Sequence, residues 1–466
     1  MAAQQPTSAA ELTSSQPESV DRWSLVVAAG LLSFVAMLDM NVVNLALTDI
    51  SSGLHVSPGL AQWAVLGYQL PLVALLLPAG RWLDQVGTRS ALLLAVGCFA
   101  ACSVLAAAAP WAGWLIAARM LQGAFGAVLF VLMPVLAATS VRPELRGRAM
   151  SVPATLGPLG AVTGPVIGGL LLDHLGWRAV FLVKLPVCLA AVLIVLRHAP
   201  RRGGLRPPDR ASLGDAALIG GAVAAVLLGL TLAPEAPQWL LLTLPAAPLV
   251  LLWLRRPGGR PVAEVLRTAG TAGVNASVLS LAAGFAACHY LLAQHLRGPR
   301  GESATTTALT MLAFPLGMVL AGRVGGRLAD RWGARPTALT GAAVTTLGLA
   351  LLIPSDTGWS TVDIAARLAL AGAGMGLNGG PTQALVMAAS PPGKLATAGS
   401  AVQLARSLGF ALGPALATAA ASTAGGGAAS GTTTGTGTGT SAGIALAALV
   451  AATAVALLAL HRRPRP

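Results

Sequence analysis

Charged side chains are scarce in this sequence: Asp, Glu, Lys and Arg make up 10% of its 466 residues, where a soluble domain carries roughly a quarter. With 55% hydrophobic residues and a mean hydropathy of +0.74, that deficit excludes an ordinary soluble protein and leaves a polytopic membrane protein. Lysine is nearly missing. Neither Lys184 nor Lys394 follows a G-x-x-x-x-G-K-[ST] loop, so ATP is not the direct energy source. No catalytic constellation of an enzyme, no cofactor motif and no oxygen cluster suited to sodium occurs. The four cysteines (Cys98, Cys102, Cys188, Cys288) fall in apolar stretches without metal-ligand spacing and read as small buried hydrophobes. Residues 1–22 lack a basic start and a small-residue cleavage pattern, so they read as a short disordered tail rather than a signal peptide.

What is abundant is apolar sequence. A hydrocarbon core of about 30 Å needs about 20 helical residues. Fourteen segments reach that length, the first at 25–48 and the last at 441–461. The runs are continuous rather than alternating, which excludes a β-barrel. With the N-terminus inside, 23 of the 30 Lys and Arg residues fall in cytoplasmic segments, 3 outside and 4 within spans. This asymmetry places both termini in the cytoplasm of a cell membrane. The Ala-, Gly- and Arg-rich composition suggests a bacterial one. The same distribution explains the net charge of +14 without nucleic acid, because the basic residues are scattered over short loops on one membrane face. The Gly/Thr-rich stretch 422–441 has neither charge nor an apolar face and is expected to be a flexible extracytoplasmic loop.

An internal repeat organises the spans. GRWLDQVGTRS (80–90) returns as GRLADRWGARP (326–336), RMLQGAFGA (119–127) as RLALAGAGMG (367–376), and TGP (163–165) as LGP (412–414). Three features in one order at one offset indicate duplicated six-helix halves related about an axis along the membrane normal. The expected organisation is a tail at 1–22, an N-terminal bundle at 23–200, two inserted helices with basic linkers at 201–260, and a C-terminal bundle at 261–466.

The two loops match the G-x-x-x-D-x-x-G-x-R signature of the major facilitator superfamily, and the whole set resembles its 14-spanner drug:proton antiporter branch. R-x-x-Q-G on the fourth span, GAVTGPVIGG (160–169) on the fifth, LDMNVVNLAL (38–47), QWAVLGYQL on the second span and GWRAVFLVKLP (176–186) all carry the likeness. It implies an all-α fold of two parallel six-helix repeats plus two inserted helices. It also implies proton-driven export of drugs, antibiotics or small metabolites by alternating access. Expected partners are a small-molecule substrate, protons and the bilayer, with the chain acting as a monomer.

The residues give these motifs physical content. Gly80 and Gly87, with Gly326 and Gly333 in the copy, permit close helix approach and unusual backbone angles. Asp84 and Asp330, followed by Arg89 and Arg335, can accept hydrogen bonds from arginines or from a helix N-terminus. The resemblance makes this pair a latch favouring the outward-facing state. Arg119, Gln122 and Gly123 form the fourth-span motif. Gly160, Gly164, Gly168 and Gly169 line one side of the fifth span for close packing, with Pro165 adding a bend. The family associates this motif with exporters.

Asp39 is the one acid set deep within a span, and an intramembrane charge defaults to a functional role. Asp39 and Arg119 each lie about 13 Å below the outer membrane face at 1.5 Å per residue. They could pair if the first and fourth spans are neighbours, as the resemblance implies. Movement of the arginine would then switch the proton affinity of Asp39, and a cationic substrate would compete for the same carboxylate. A static structural ion pair is the competing reading. Asn41, Asn44 and Thr48 form a second polar stripe, opposite Asp39. Lys184, which stands where the family has Asn, is expected to snorkel to the surface, or else to place positive charge at the outer mouth. Further cavity candidates are Trp63, Tyr68 and Gln69; His289, Tyr290 and Gln294; Asn378 and Gln383; Arg367; and Gln403 and Arg406. Uptake or exchange of a nutrient or organic anion, bound by Lys184, Arg367 or Arg406, is a second functional reading. A non-transporting sensor or structural subunit is a third.

Overall fold

A computed structural model describes residues 21–201, 203–207, 210–232, 237–257, 259–268, 270–297, 300–353, 359–424 and 436–460. Most of the expected tail (1–22) and most of the Gly/Thr-rich stretch (422–441) lie outside the described residues; the described ends of that stretch, 422–424 and 436–441, are helical rather than the expected loop. The described residues are almost entirely helical and contain no strand.

The N-terminal half begins with α1 (Trp23–Leu45), prolonged after a one-residue break by α2 (Leu47–Gly53). Then α3 (Pro58–Ala74) and α4 (Leu76–Leu83) form one span bent by 48°. Pro71 lies one turn before the bend and has no N–H for the helical ladder. The half continues through α5 (Thr88–Ala107), α6 (Ala112–Thr139) and α7 (Arg146–Leu175). Its sixth span is interrupted, with α8 (Trp177–Leu182) and α9 (Leu185–His198) meeting at Val183 and Lys184. Pro186, in the first turn of α9, makes that break.

The inserted pair is α10 (Arg210–Leu232) and α11 (Ala246–Arg255), the latter preceded by a 3-10 turn at Pro237–Thr243. A short amphipathic α12 (Arg260–Arg267) leads to the C-terminal half: α13 (Thr271–Arg297), α14 (Ala304–Trp332), α15 (Ala334–Ala350), α16 (Thr361–Ala389), α17 (Leu395–Ala424) and α18 (Thr436–Leu460). Each of the fourteen expected spans coincides with one of these helices or with a broken pair. By length and apolar composition, 10 described helices suffice to cross a membrane, or up to 11 with the bent α3–α4 pair. The Gly- and Thr-rich helices α15, α16 and α17 fall outside that group. They nevertheless pack as members of the second bundle, because their small residues bring backbones close together: a Cβ on Gly341 of α15 would lie 2.6 Å from the Asn378 nitrogen of α16.

Each half has its own apolar core. Tyr68, Phe99, Leu129 and Leu132 belong to the first, and Leu292, Phe314, Leu349 and Leu368 to the second. The insert packs on the N-terminal half: Ile219, Val223 and Leu227 of α10 join its core, and Arg81 of α4 pairs with Asp215 of α10 at 3.3 Å. The helix ends that carry Arg81, Arg89, Arg142, Arg146, Arg148, Arg327, Arg331 and Arg335 define one arginine-rich end of the molecule.

Candidate functional site: a buried ion cluster, two latches and a central cavity

The packing of α1, α3, α5, α6, α8 and α9 encloses a charge cluster. Asp39 is 2% exposed, and Arg119 and Lys184 are 0% exposed. Arg119 donates through Nη1 to Asp39 Oδ2 at 2.8 Å, through the same nitrogen to Gln122 Oε1 at 2.6 Å, and through Nε to the Ala64 carbonyl at 2.8 Å. Gln122 passes the network on to Ser103 at 2.7 Å. Lys184 Nζ donates to the other Asp39 oxygen, Oδ1. The rings of Tyr68, Phe99 and Phe181 wall the cations, with the Arg119 guanidinium 4.4 Å from the Tyr68 ring centroid. Arg119 Nη2 and Tyr68 Oη have no hydrogen-bond partner among the described residues. The expected pair of Asp39 and Arg119 is thus present, as two members of a triad.

Lys184 corrects the sequence reading. It neither snorkels nor decorates an outer mouth, because the Pro186 break places it about two turns into the sixth span, turned inward to Asp39. Two cations share one carboxylate, so the cluster carries one excess positive charge when all three are ionised.

At the arginine-rich end the halves are clasped twice, in mirrored fashion. Asp84 caps the N-terminus of α17, accepting from the backbone amides of Ala396 at 2.9 Å and Thr397 at 3.0 Å and from the Thr397 hydroxyl at 2.6 Å. Asp330 caps the start of α7, accepting from the Arg148 amide at 3.2 Å. Each aspartate therefore holds the fifth span of the opposite half, at the positive end of a helix dipole. Burial lifts the Asp84 carboxyl above its ordinary range, against the pull of Thr397 and the two amides. The motif arginines do a different task within their own halves: Arg89 caps α9 at the Leu196 carbonyl (3.1 Å), and Arg335 caps α18 at Ala459 (2.7 Å). A Cβ on Gly80 would meet Ser400 of α17, and one on Gly326 would meet Ser151 of α7, so both glycines permit the cross-half contact. Gly333 has φ +91, as expected, whereas Gly87 sits at φ −68 in ordinary extended backbone.

Gly160, Gly164 and Gly168 of α7 press on α1. A Cβ on Gly160 would collide with the Phe34 carbonyl, and Cβ atoms on Gly164 and Gly168 would lie 3.0 Å from Asn41 and 3.2 Å from Leu45. Gly169 faces open space, and the side chain of Pro165 falls outside the described residues. Gly123 of α6 meets the carbonyl of Tyr68 in the same way, a contact repeated by Gly372 of α16 against Phe314.

Between the halves lies a cavity of about 530 Å³, within the size range of small-molecule sites. Met37, Asn41, Phe285, His289, Phe314, Gln383, Gln403, Arg406 and Phe410 are among its walls. Phe285 and Phe314 stack at 3.8 Å, with Phe410 edge-on at 6.2 Å. Of the polar candidates, Asn41, His289, Gln383, Gln403 and Arg406 line the cavity; the others do not. Tyr68 is wholly buried in the ion cluster, and Asn378 is a helix contact donating to the Ala338 carbonyl at 2.8 Å. Arg367 stacks on Trp359 at 3.7 Å. Asn44 and Gln294 are exposed, Trp63 is 38% exposed, and Gln69 and Tyr290 are half-buried outside the cavity wall. Asp39 is also absent from the wall. It lies on the far side of α1 from Asn41, so direct competition between cargo and proton for that carboxylate does not fit this arrangement.

The sequence reading missed the methionines and phenylalanines of the wall, which look like any other core residue in an apolar helix. It also missed Ser103, whose partner Gln122 was the only available signal.

Two helical halves clasped at one end around a central cavity, with charge sequestered in one of them, define a helical membrane transporter. The family model of the Major Facilitator Superfamily matches residues 29–414, and again 272–466, and the chain belongs to that superfamily. It is 30% identical over 399 residues to the drug efflux pump JefA of Mycobacterium tuberculosis, covering 82% of this chain and 77% of that one. It is also 30% identical over 404 residues to the methyl viologen resistance protein SmvA of Salmonella typhimurium, covering 83% and 80%. Among solved structures, the human organic anion transporter MFSD10 (TETRAN) superposes with a TM-score of 0.65 at 16% identity, over 95% of this chain and 100% of that one, a likeness of fold alone.

Proposed function

We propose that this protein exports drug-like small molecules in exchange for protons by alternating access, with its arginine-rich end facing the cytoplasm of a bacterium. The observation that carries the reading is the fully buried Asp39–Arg119–Lys184 cluster, set behind the helix that also walls the cavity. The names of the relatives, a drug efflux pump and a resistance protein, support export over uptake.

The mechanism follows from α1. Both oxygens of Asp39 are occupied, one by Arg119 and one by Lys184, so a proton gains a place only when one cation withdraws. The same helix walls the cavity at Met37 and Asn41, two residues either side of Asp39. A shift of α1 along the glycine stripe of α7 would therefore exchange the two occupancies without their sharing an atom. The Asp84 and Asp330 clasps hold the arginine-rich end shut meanwhile, and their release would open the cavity to that side. The electrical part of the driving force is about 2.3 kcal/mol per charge per 100 mV.

The test uses inverted membrane vesicles energised by a pH gradient alone. Wild type is expected to accumulate a transported drug and Asp39→Asn to accumulate none, at equal protein levels in the membrane. Undiminished accumulation by Asp39→Asn would remove the cluster from the mechanism.

A further inference from the structure

The cavity is asymmetric in charge. No Asp or Glu stands among its lining residues, and its one full charge is the guanidinium of Arg406. Arg406 makes no hydrogen bond or ion pair with any described residue. It is half-buried, withdrawn from bulk solvent, and contributes to the cavity wall. A partly desolvated cation is costly unless something of opposite charge joins it.

One further donor points the same way. Gln383 Nε2 is buried without a partner among the described residues in the same wall. Asn41, by contrast, gives one of its two amide N–H donors to the Met37 carbonyl at 2.8 Å. Around these donors stand flat apolar surfaces, the stacked Phe285 and Phe314 with Phe410 edge-on, a setting suited to a planar ring system. The repeat sharpens the contrast. At the offset of 249 residues that relates TGP to LGP, the counterpart of Arg406 is Gly157 and that of Phe410 is Ala161. All four line the cavity, so the first half supplies room where the second supplies a cation and a ring.

We infer that the cavity takes planar aromatic cargo bearing an acidic group, with Arg406 binding the anion and Gln383 assisting. The inference deepens the export reading and rests on it. A guanidinium suits carboxylate, sulfonate or phenolate oxygens through paired N–H donors. Phenyl faces could also hold a cation, but Arg406 in the same wall would repel it.

Three probes of nearly equal size isolate charge: 2-naphthalenesulfonate, 2-naphthalenesulfonamide and 2-naphthyltrimethylammonium. Equilibrium dialysis against the purified full-length protein is expected to give tightest binding of the sulfonate and weakest of the ammonium. Arg406→Gln should weaken the sulfonate about tenfold or more, the scale of a charged hydrogen bond, and leave the sulfonamide unchanged. Arg406→Lys should keep most of the preference. Ammonium binding equal to or tighter than sulfonate binding in wild type overturns the inference. So does a sulfonate affinity untouched by Arg406→Gln, or failure of wild type to bind any of the three. If Arg406→Gln loses all three probes through misfolding, Arg406→Lys decides, with loss of the sulfonate preference in that variant counting against Arg406. Uptake into liposomes with an acidic lumen tests the underlying reading separately. Sulfonate that binds at Arg406 but is never driven inward would leave the charge assignment standing and overturn proton-coupled export.

Discussion

The two halves share a scaffold and divide its chemistry. Both repeat the aspartate that clasps the opposite fifth span and the arginine that caps their own sixth (Asp84 and Arg89, Asp330 and Arg335). Both also repeat a glycine seated on a neighbouring backbone, Gly123 on Tyr68 and Gly372 on Phe314. Their polar interiors have nothing in common. The first half buries Asp39, Arg119 and Lys184 together away from the cavity; the second has Arg367 stacked on Trp359 near a helix end and sends Arg406 into the cavity. Backbone contacts constrain both copies equally, whereas an ion site is needed once. On the proposed reading, that difference would give proton handling to the first half and the charge preference for cargo to the second.

The strongest way to break that division is to disarm each half in turn. Asp39→Asn should lower gradient-driven efflux by about 100-fold or more, the scale of a lost proton-transferring group. Arg367→Gln, at the mirrored position, should leave efflux within about a factor of three, since its partner is an aromatic face worth little at a half-exposed site. Similar losses in both would make the halves functional equals.

Packing gives the next contrast. Gly160→Leu drives a side chain into the Phe34 carbonyl and Gly409→Leu into that of Leu279, so each should cost about 1–3 kcal/mol or more. Both should show as reduced folded protein by fluorescence-detected size exclusion. Gly169→Ala, which meets open space, should be silent, and a matching loss there would deny that the stripe acts through α1.

A smaller effect is expected from Lys184→Asn. One carboxylate oxygen is then released from its cation, and the pH dependence of coupled efflux should move by about one unit, toward higher pH because fewer cations compete with the proton. An unchanged profile would reduce Lys184 to a packing residue.

The weakest effects belong to the clasps. Asp84 accepts three hydrogen bonds and Asp330 one, so Asp84→Ala should open the arginine-rich end more than Asp330→Ala, read by spin-label distances between α4 and α17. Burial raises the Asp84 carboxyl, so the closed end binds a proton more readily than the open one. Burial raises Asp330 likewise, so closure should strengthen as pH falls through the carboxyl range and fade above it, a trend that Asp84→Asn reduces and Asp84→Asn with Asp330→Asn abolishes.

Much of this architecture was legible in the residues, because membrane helices announce themselves by length and the repeat by its signature glycines, aspartates and arginines. The depth of Asp39 and Arg119 could be counted from the helix ends, which is why their pairing was foreseeable. Lys184 was misread for a physical reason: a lysine near the start of an apolar run has two options, and only the break made by Pro186 turns it inward. The cavity wall was legible only in its polar members, and only in part. Gln383, Gln403 and Arg406 face it while Asn378 and Gln294 do not, a distinction set by helix rotation, which an apolar helix with polar residues on several sides does not reveal.

The central claim is that proton and cargo occupy different faces of α1. Equilibrium binding of a transported aromatic drug to Asp39→Asn, measured alongside proton movement in the same proteoliposomes, tests it most directly. Cargo binding at wild-type affinity with no proton movement is the expected result. Loss of cargo binding together with proton movement would mean that both ligands share Asp39, and would contradict the account.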